Sequence, residues 1–506
     1  MGEGRRAVVV IAAAALVGLG LLAGWLLLSA RGLERDGSAA RAPAGGSGEA
    51  ARPVAPSPHG AQIRWLASGG GPTPDANEVS IEQDMALVRE ALGPGGRLLF
   101  AGGPGSDGVQ VRGRPPGQDD LMRALGEIFS PRGGRDALYR PTRLDLDGPA
   151  TLGAVEEALR EALSAQGDPL LLVLAGHGDM GERPDGNAVL TWGGEALGVV
   201  DLARALDTAP TSRPVRAVVL SCYAGGFAEL IFHDADESQG PSPHDRCGIF
   251  ASTWDLQAGG CDADPDRGRH EGYSLHLLHA LKGQNRRGEP LAEIDLDGDG
   301  RISLIEAHTQ ARIASGSVDV PTTTSERWLR HAAPSEGASE PVSLPAEERT
   351  IEALSAALGL QGHPERAADL AEALGQEIEE LKAREEAAAD AEQAAYRALA
   401  GELLARWPVI DDPWHPDFPS TIQGQRAQIE GHLAQSDAHA RLREAMAALD
   451  ALGRERAELQ VRAAPFERLA RAVETRALAG RLKALGGEPW RTFERLSACE
   501  RFAPGP

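Results

Sequence analysis

The stretch "VRAVVLSCYAGGF", residues 215–227, decides how the chain is read: an apolar run halts at Ser221 and Cys222, and Gly225 and Gly226 follow almost at once. "PLLLVLAGHGD", residues 169–179, has the same design, its run ending in Gly176, His177 and Gly178. Near-continuous apolar runs suit strands covered on both faces, as in parallel sheets. Further runs at residues 63–67, 98–101 and 248–252 alternate with helical patterns at 81–92, 152–163, 200–206 and 273–281. The predicted fold class is α/β, a mostly parallel sheet with helices on both faces. In such sheets functional residues gather outside the carboxyl ends of the strands, where His177 and Cys222 both fall.

Taken alone, Cys222 is a buried structural thiol, half of a disulfide, or a nucleophile. A thiol becomes strongly nucleophilic as thiolate, and a nearby imidazole takes its proton or lowers its pKa. His177 on the neighbouring strand end is placed for that. The amides of Gly178 and Cys222 are the expected oxyanion donors, while Gly225 and Gly226 are expected to keep the cleft floor low for an extended substrate.

The blocks "AGHGD" and "LSCYAGGF" resemble the His-Gly and Cys-x-x-Gly blocks of the caspase-like cysteine peptidases. The surroundings resemble the legumain branch. "IRWLASGGGPTPDANEVSIEQDMALVREAL" is similar to its first strand, Gly turn and helix, "ATLGAVEEALREAL" to the helix before the His strand, and "GIFASTWDLQAGGCD" to the strand beyond the Cys. The resemblance spans residues 63–281 and implies a caspase-like fold acting on protein or peptide substrates, with Cys222 and His177 as the catalytic dyad. Two residues before the nucleophile, where the superfamily often has an acid or a glutamine lining the P1 pocket, stands Leu220. Asp255 and Asp262 are candidates to reach that pocket, and Asn77 lies near the place of an assisting Asn in legumains, at a different local spacing.

"DLDGDGRISLIE", residues 295–306, matches a calcium loop of the EF-hand type. Asp295, Asp297 and Asp299 occupy positions 1, 3 and 5, Gly300 the turn, Arg301 the carbonyl position, Ser303 position 9, and Glu306 the bidentate position 12. The segment before it, "GEPLAE", is a poor entering helix.

The other regions frame this unit. Residues 1–31 hold an apolar run long enough to cross about 30 Å of hydrocarbon, read as a membrane anchor, with the bulk of the chain expected outside the cytoplasm, in the periplasm. Residues 32–62, rich in Ala, Pro, Gly and Ser, read as a disordered linker. The peptidase domain is expected over 63–290, the calcium loop and its helix over 291–316, a linker over 317–348, and a helical hairpin or coiled coil over 349–506, where Leu370, Leu374, Ile378 and Leu381 recur at helical spacing. The hairpin is expected to serve self-association or partner docking. A net charge of −23 opposes nucleic-acid binding. Four cysteines in 506 residues make no disulfide framework, though Cys247 and Cys261, flanking one strand, are a candidate pair. Together these features predict a membrane-anchored, calcium-binding cysteine endopeptidase. The alternatives are a catalytically silent scaffold whose C-terminal helices recruit partners, and a chain in which those helices are the effector or inhibitory part and the peptidase their regulator.

Overall fold

The computed structural model describes residues 62–504, apart from 115–116, 118 and 130–135. The expected anchor, and the linker up to residue 61, lie outside the described residues. Among the described residues, no helix is long and apolar enough to cross a membrane.

Along the chain, β1 (Trp65–Gly69) leads through α1 (Val79–Leu92) to β2 (Gly96–Phe100). The hairpin β3 (Val109–Arg112) and β4 (Ala137–Arg140) encloses α2 (Asp120–Phe129). Then come α3 (Leu152–Ala162), β5 (Leu170–Ala175) and a small antiparallel sheet of β6 (Gly178–Asp179), β7 (Ala188–Leu190) and β8 (Ala196–Gly198). After α4 (Val199–Asp207) follow β9 (Val215–Leu220), β10 (Arg246–Phe250), α5 (Tyr273–Leu281), α6 (Leu304–Ala314), β11 (Thr322–Thr323) and α7 (Thr324–Ala332). The helical remainder is α8 (Pro345–Leu358), α9 (Arg366–Arg406), α10 (Phe418–Gln435), α11 (Asp437–Leu485) and α12 (Gly487–Glu500).

The central sheet has the order β11-β10-β9-β5-β1-β2, parallel throughout except for β11, which runs antiparallel at the edge. Alternation along each strand feeds two cores. From β9, Val218 and Leu220 pack on the side of α1, α5 and α6, while Val215, Ala217 and Val219 pack on the side of α3 and α4. The apolar runs therefore mark the strands because both faces are covered.

The segment 317–348, expected as a linker, is structured. It holds β11, hydrogen-bonded to β10, and α7, whose Trp328 and Leu329 are buried. Buried Arg312 of α6 pairs with Glu326 of α7 at 3.3 Å and with Glu347 of α8 at 3.0 Å, so charge as well as apolar area closes this segment onto the sheet.

Cys247 is bonded to Cys499 of α12, not to Cys261, which is a free and exposed thiol. The physical reason is direction: Cys247 points into a cluster with Trp328, Phe493 and Leu496, whereas Cys261 sits on the loop beyond the carboxyl end of β10.

The expected helical hairpin is present. Ala367 packs with Leu469 and Ala472, Ile378 and Leu381 with Leu459 and Ala463, and Leu399 and Leu403 with Leu442, a pairing that runs α9 and α11 antiparallel. Its two ends are built into the α/β unit. Near one end Arg468, 2% exposed, donates to the carbonyls of Arg312, Ser315 and Ser317 and so closes the C-terminus of α6. At the other, Leu121, Leu125 and Ile128 of α2 join the Leu399–Leu403 cluster.

Glu500 anchors the last helix. Its carboxylate accepts from the Ser325 amide at 2.7 Å, the Ser325 hydroxyl at 2.6 Å and the Thr324 hydroxyl at 2.7 Å. Burial outweighs these donors and pushes its pKa from 4.5 up to about 7. The folded state then holds this proton more tightly than the unfolded chain, so the stability it lends is complete below the unfolded value and is lost as pH rises through the folded one, about 3 kcal/mol in all. Glu500→Gln is expected to remove most of that fall, read as urea-unfolding free energy between about pH 5 and about pH 8.

Candidate active site

The register of β5 against β9 pairs Ala175 with Leu220, and both strands end there. Two residues further along each chain stand His177 and Cys222, so the parallel pairing delivers both to one crevice. The glycines around them answer to close approach. A Cβ on Gly178 would lie 2.0 Å from the Cys222 carbonyl oxygen, and one on Gly176, at φ +130°, 2.4 Å from the Gly70 carbonyl oxygen. Gly225 and Gly226 have a different use from the cleft floor expected for them. They are buried in a 3-10 turn, where Cβ atoms would meet the Trp254 amide at 2.6 Å and the Pro184 carbonyl at 2.5 Å.

Directly after Cys222, Tyr223 adopts φ +59° and ψ 18°, an unusual conformation for a side-chain-bearing residue. Its amide donates to the Leu256 carbonyl at 2.9 Å and its carbonyl accepts from Asn187 at 2.9 Å, which holds the turn in place.

The thiol and the imidazole engage different partners. Cys222 Sγ donates to the Ala258 carbonyl at 3.6 Å and accepts from the Ala258 amide at 3.4 Å. The Ala258 loop is itself held by buried Asp319, which accepts from the Gly259 amide at 2.7 Å and the Tyr273 amide at 2.6 Å. His177 Nε2 lies 3.0 Å from Glu78 Oε2. The Glu78 hydrogen bond raises the His177 pKa against the opposing effect of burial. Burial raises that of the Cys222 thiol. The Glu78 bond thus favours the protonated ring, and burial favours the neutral thiol.

Glu78 is the N-cap residue of α1, yet its side chain makes no cap hydrogen bond, its carboxylate being turned to His177. Nothing in its local pattern distinguishes it from an ordinary acidic helix start, and its partner is 99 residues away. Cys261 was also missed as a member of this site: its Sγ, the His177 ring nitrogen and a Glu78 carboxylate oxygen all lie within 4.8 Å of one another. The loop bearing Cys261 is strapped to α1 by two bonds, Ser80 N to the Asp262 carbonyl at 3.2 Å and Asp262 N to Ser80 Oγ at 2.8 Å.

The expected pocket residues are engaged by other parts of the fold. Leu220, 8% exposed, belongs to the core. Asn77 is fully buried and braces a loop, accepting from the Gly71 amide at 3.0 Å and donating to the Gly108 carbonyl at 3.0 Å. Asp255 is exposed and accepts from Thr253 Oγ1 at 2.8 Å, and Asp262 pairs with Arg112 at 2.8 Å.

In the acidic loop, carboxylate oxygens of Asp295, Asp297 and Asp299 lie within 4.8 Å of one another. Asp295 accepts from the amides of Gly298 and Gly300 at 2.7 and 2.9 Å, and Asp299 from the Arg301 amide at 2.7 Å. Gly300, at φ +78°, makes the turn. Glu306 Oε1 reaches back to the Leu296 amide at 2.6 Å, while Oε2 forms a capping box with Ser303 at the start of α6. Helix α6 leaves the loop directly, but α5 ends at Leu281, well before Asp295, so the entering helix is missing. The donors are all hard oxygens, the set that suits calcium.

Fold and site together define an α/β protein with a mostly parallel sheet and a Cys, a His and a Glu at its carboxyl edge. No family model matches the chain, and no curated protein matches it. Among solved structures, protein GSU0716 from Geobacter sulfurreducens is similar at 14% identity over 52% of this chain and 92% of that one, with a TM-score of 0.30. A similarity of that size assigns neither fold family nor function.

Proposed function

We propose that the chain is a calcium-binding cysteine endopeptidase of the caspase-like type, held at a membrane by its N-terminal segment. The observation that carries this is the β5–β9 register, which brings His177 and Cys222 to adjacent strand ends. In the reaction, neutral His177 takes the Cys222 proton and the thiolate attacks the scissile carbonyl. The Cys222 and Gly178 amides hold the oxyanion. His177, now imidazolium, protonates the leaving amine, and water then releases the acyl group from Cys222. Glu78 orients the imidazole and favours its charged form. The buried Leu220 leaves the P1 pocket without a charged wall at that position.

Calcium would be held by Asp295, Asp297, Asp299, the Arg301 carbonyl, Ser303 and Glu306, stiffening the loop that starts α6. Arg301 and Leu304 also donate to the carbonyls of Ala503 and Phe502, each at 2.9 Å, so a stiffer loop would steady the C-terminal tail. Millimolar calcium is expected to raise the melting temperature by a few degrees, an increment that Asp295→Asn abolishes. A disulfide joining Cys247 to Cys499 suits an oxidising, extracytoplasmic compartment.

The decisive test is a peptide-library cleavage profile with and without a calcium chelator. Cleavage that vanishes in Cys222→Ala supports the endopeptidase; cleavage unchanged in that variant sinks it. One observation favours a catalytically silent scaffold: both dyad side chains are engaged away from each other, and the thiol is disfavoured as thiolate. That reading predicts no cleavage in any library and no selective alkylation of Cys222.

A further inference from the structure

The chain has a second thiol at its candidate site that the proposed hydrolysis does not use. Cys261 Sγ, a His177 ring nitrogen and a Glu78 carboxylate oxygen lie mutually within 4.8 Å, and the His177–Glu78 pair is already at 3.0 Å. These donors come from three separate elements: the loop after β10, the end of β5 and the start of α1. A tetrahedral zinc with ordinary bond lengths to S, N and O places its donors about 3.3–3.7 Å apart. Small side-chain shifts within the observed spacing would satisfy that. The exposed position of Cys261 leaves a path for an ion to enter.

We propose that Glu78, His177 and Cys261 form a zinc site that switches the endopeptidase off. The softness of the donors selects the metal. A thiolate and an imidazole suit zinc, whereas calcium needs oxygen ligands and is served by the Asp295 loop. One thiolate and one carboxylate balance the dication, and buried Asp319 and half-buried Asp84 add negative charge to the surroundings of Cys261. On binding, Cys261 gives its thiol proton to solvent, and zinc replaces the proton shared by His177 and Glu78. With zinc on Nε2 the neutral ring carries its proton on Nδ1, so neither nitrogen is free to take the proton of Cys222. Water or the Cys222 thiolate can complete the fourth position. The inhibitory half of this inference rests on the peptidase reading; the binding half does not.

Zinc binding to the full chain is measured by equilibrium dialysis in saturating calcium, which keeps the aspartate loop filled, and cobalt(II) is added in parallel to look for thiolate-to-metal charge-transfer absorption. The wild type is expected to take up one zinc, and Cys261→Ser and Glu78→Gln to weaken it at least about tenfold. Cys222→Ala is expected to retain the site. Unchanged affinity in Cys261→Ser overturns the proposal, as does loss of the thiolate-to-cobalt band in Cys222→Ala with its retention in Cys261→Ser. In peptide cleavage, zinc is expected to inhibit the wild type reversibly, and the residual activity of Cys261→Ser to need at least about tenfold more zinc for half-inhibition. Activity that rises with zinc overturns the inhibitory role. Intact zinc binding in a chain that cleaves nothing sinks the endopeptidase and leaves the metal site standing.

Discussion

Replacing Cys222 by Ala is expected to abolish peptide cleavage, and His177→Ala to lower kcat/KM by about 10²–10⁴-fold, the usual size of a lost general acid–base. The two changes remove different halves of one step. Without Cys222 no acyl intermediate forms. Without His177 the thiol keeps its proton, because burial raises its pKa. Electrophile labelling separates the thiols if the modified peptide is sequenced, since Cys261 is also a free thiol. Labelling of Cys222 that is equal in wild type and His177→Ala would rule out the dyad. Glu78→Gln tests the same charge relay from the other side. Glu78 raises the His177 pKa, so its loss lowers that pKa, neutral imidazole persists to lower pH, and the ascending limb of kcat/KM shifts toward acid. A limb that does not move would detach Glu78 from the titrating group.

The sheet was legible in the sequence because β1, β2, β5, β9 and β10 are covered on both faces and so read as unbroken apolar runs. The ends of β5 and β9 were legible for the same reason, since the runs stop where the crevice begins. The short strands β3, β4, β6, β7 and β8 are only partly buried and left no run to see. β11 and α7 were hidden by composition: polar Thr, Ser and Glu are buried there by hydrogen bonds to Glu500 and by the Arg312 pairs, which local pattern does not encode. The partner of His177 escaped for a similar reason. A helix-starting acid has a local purpose, and only the folded crevice shows that Glu78 has abandoned it. The long helices were visible as a hairpin, but their attachment was not. Arg468, Cys499 and Glu500 meet the α/β unit one residue at a time, so cutting the chain after Gly316 would strip its core supports along with any inhibitory surface.

That attachment yields the largest expected change in stability. The Cys247–Cys499 bond closes a sequence separation of 252 residues. Chain-entropy reasoning gives such a loop about 5 kcal/mol, and native disulfides more commonly deliver about 2–4 kcal/mol because the unfolded chain keeps some order. Removing both sulfurs with Cys247→Ala/Cys499→Ala is therefore expected to lower the urea midpoint clearly. Leu496 and Phe493 should be loosened from Trp328, whose indole donates to the Pro489 carbonyl at 2.9 Å, and the emission of Trp328 should shift red before the sheet unfolds. Glu500 follows Cys499 directly, so freeing the helix also strips the donors of Ser325 and Thr324 from its carboxylate and couples the loss to the pH dependence described for that residue. Reduction of the wild type by a thiol reagent should reproduce the double variant, whereas the variant itself should be indifferent to the reagent. A wild-type midpoint that reduction leaves in place, with Cys247 and Cys499 shown by alkylation to be free thiols, would mean that packing alone holds α12 against β10.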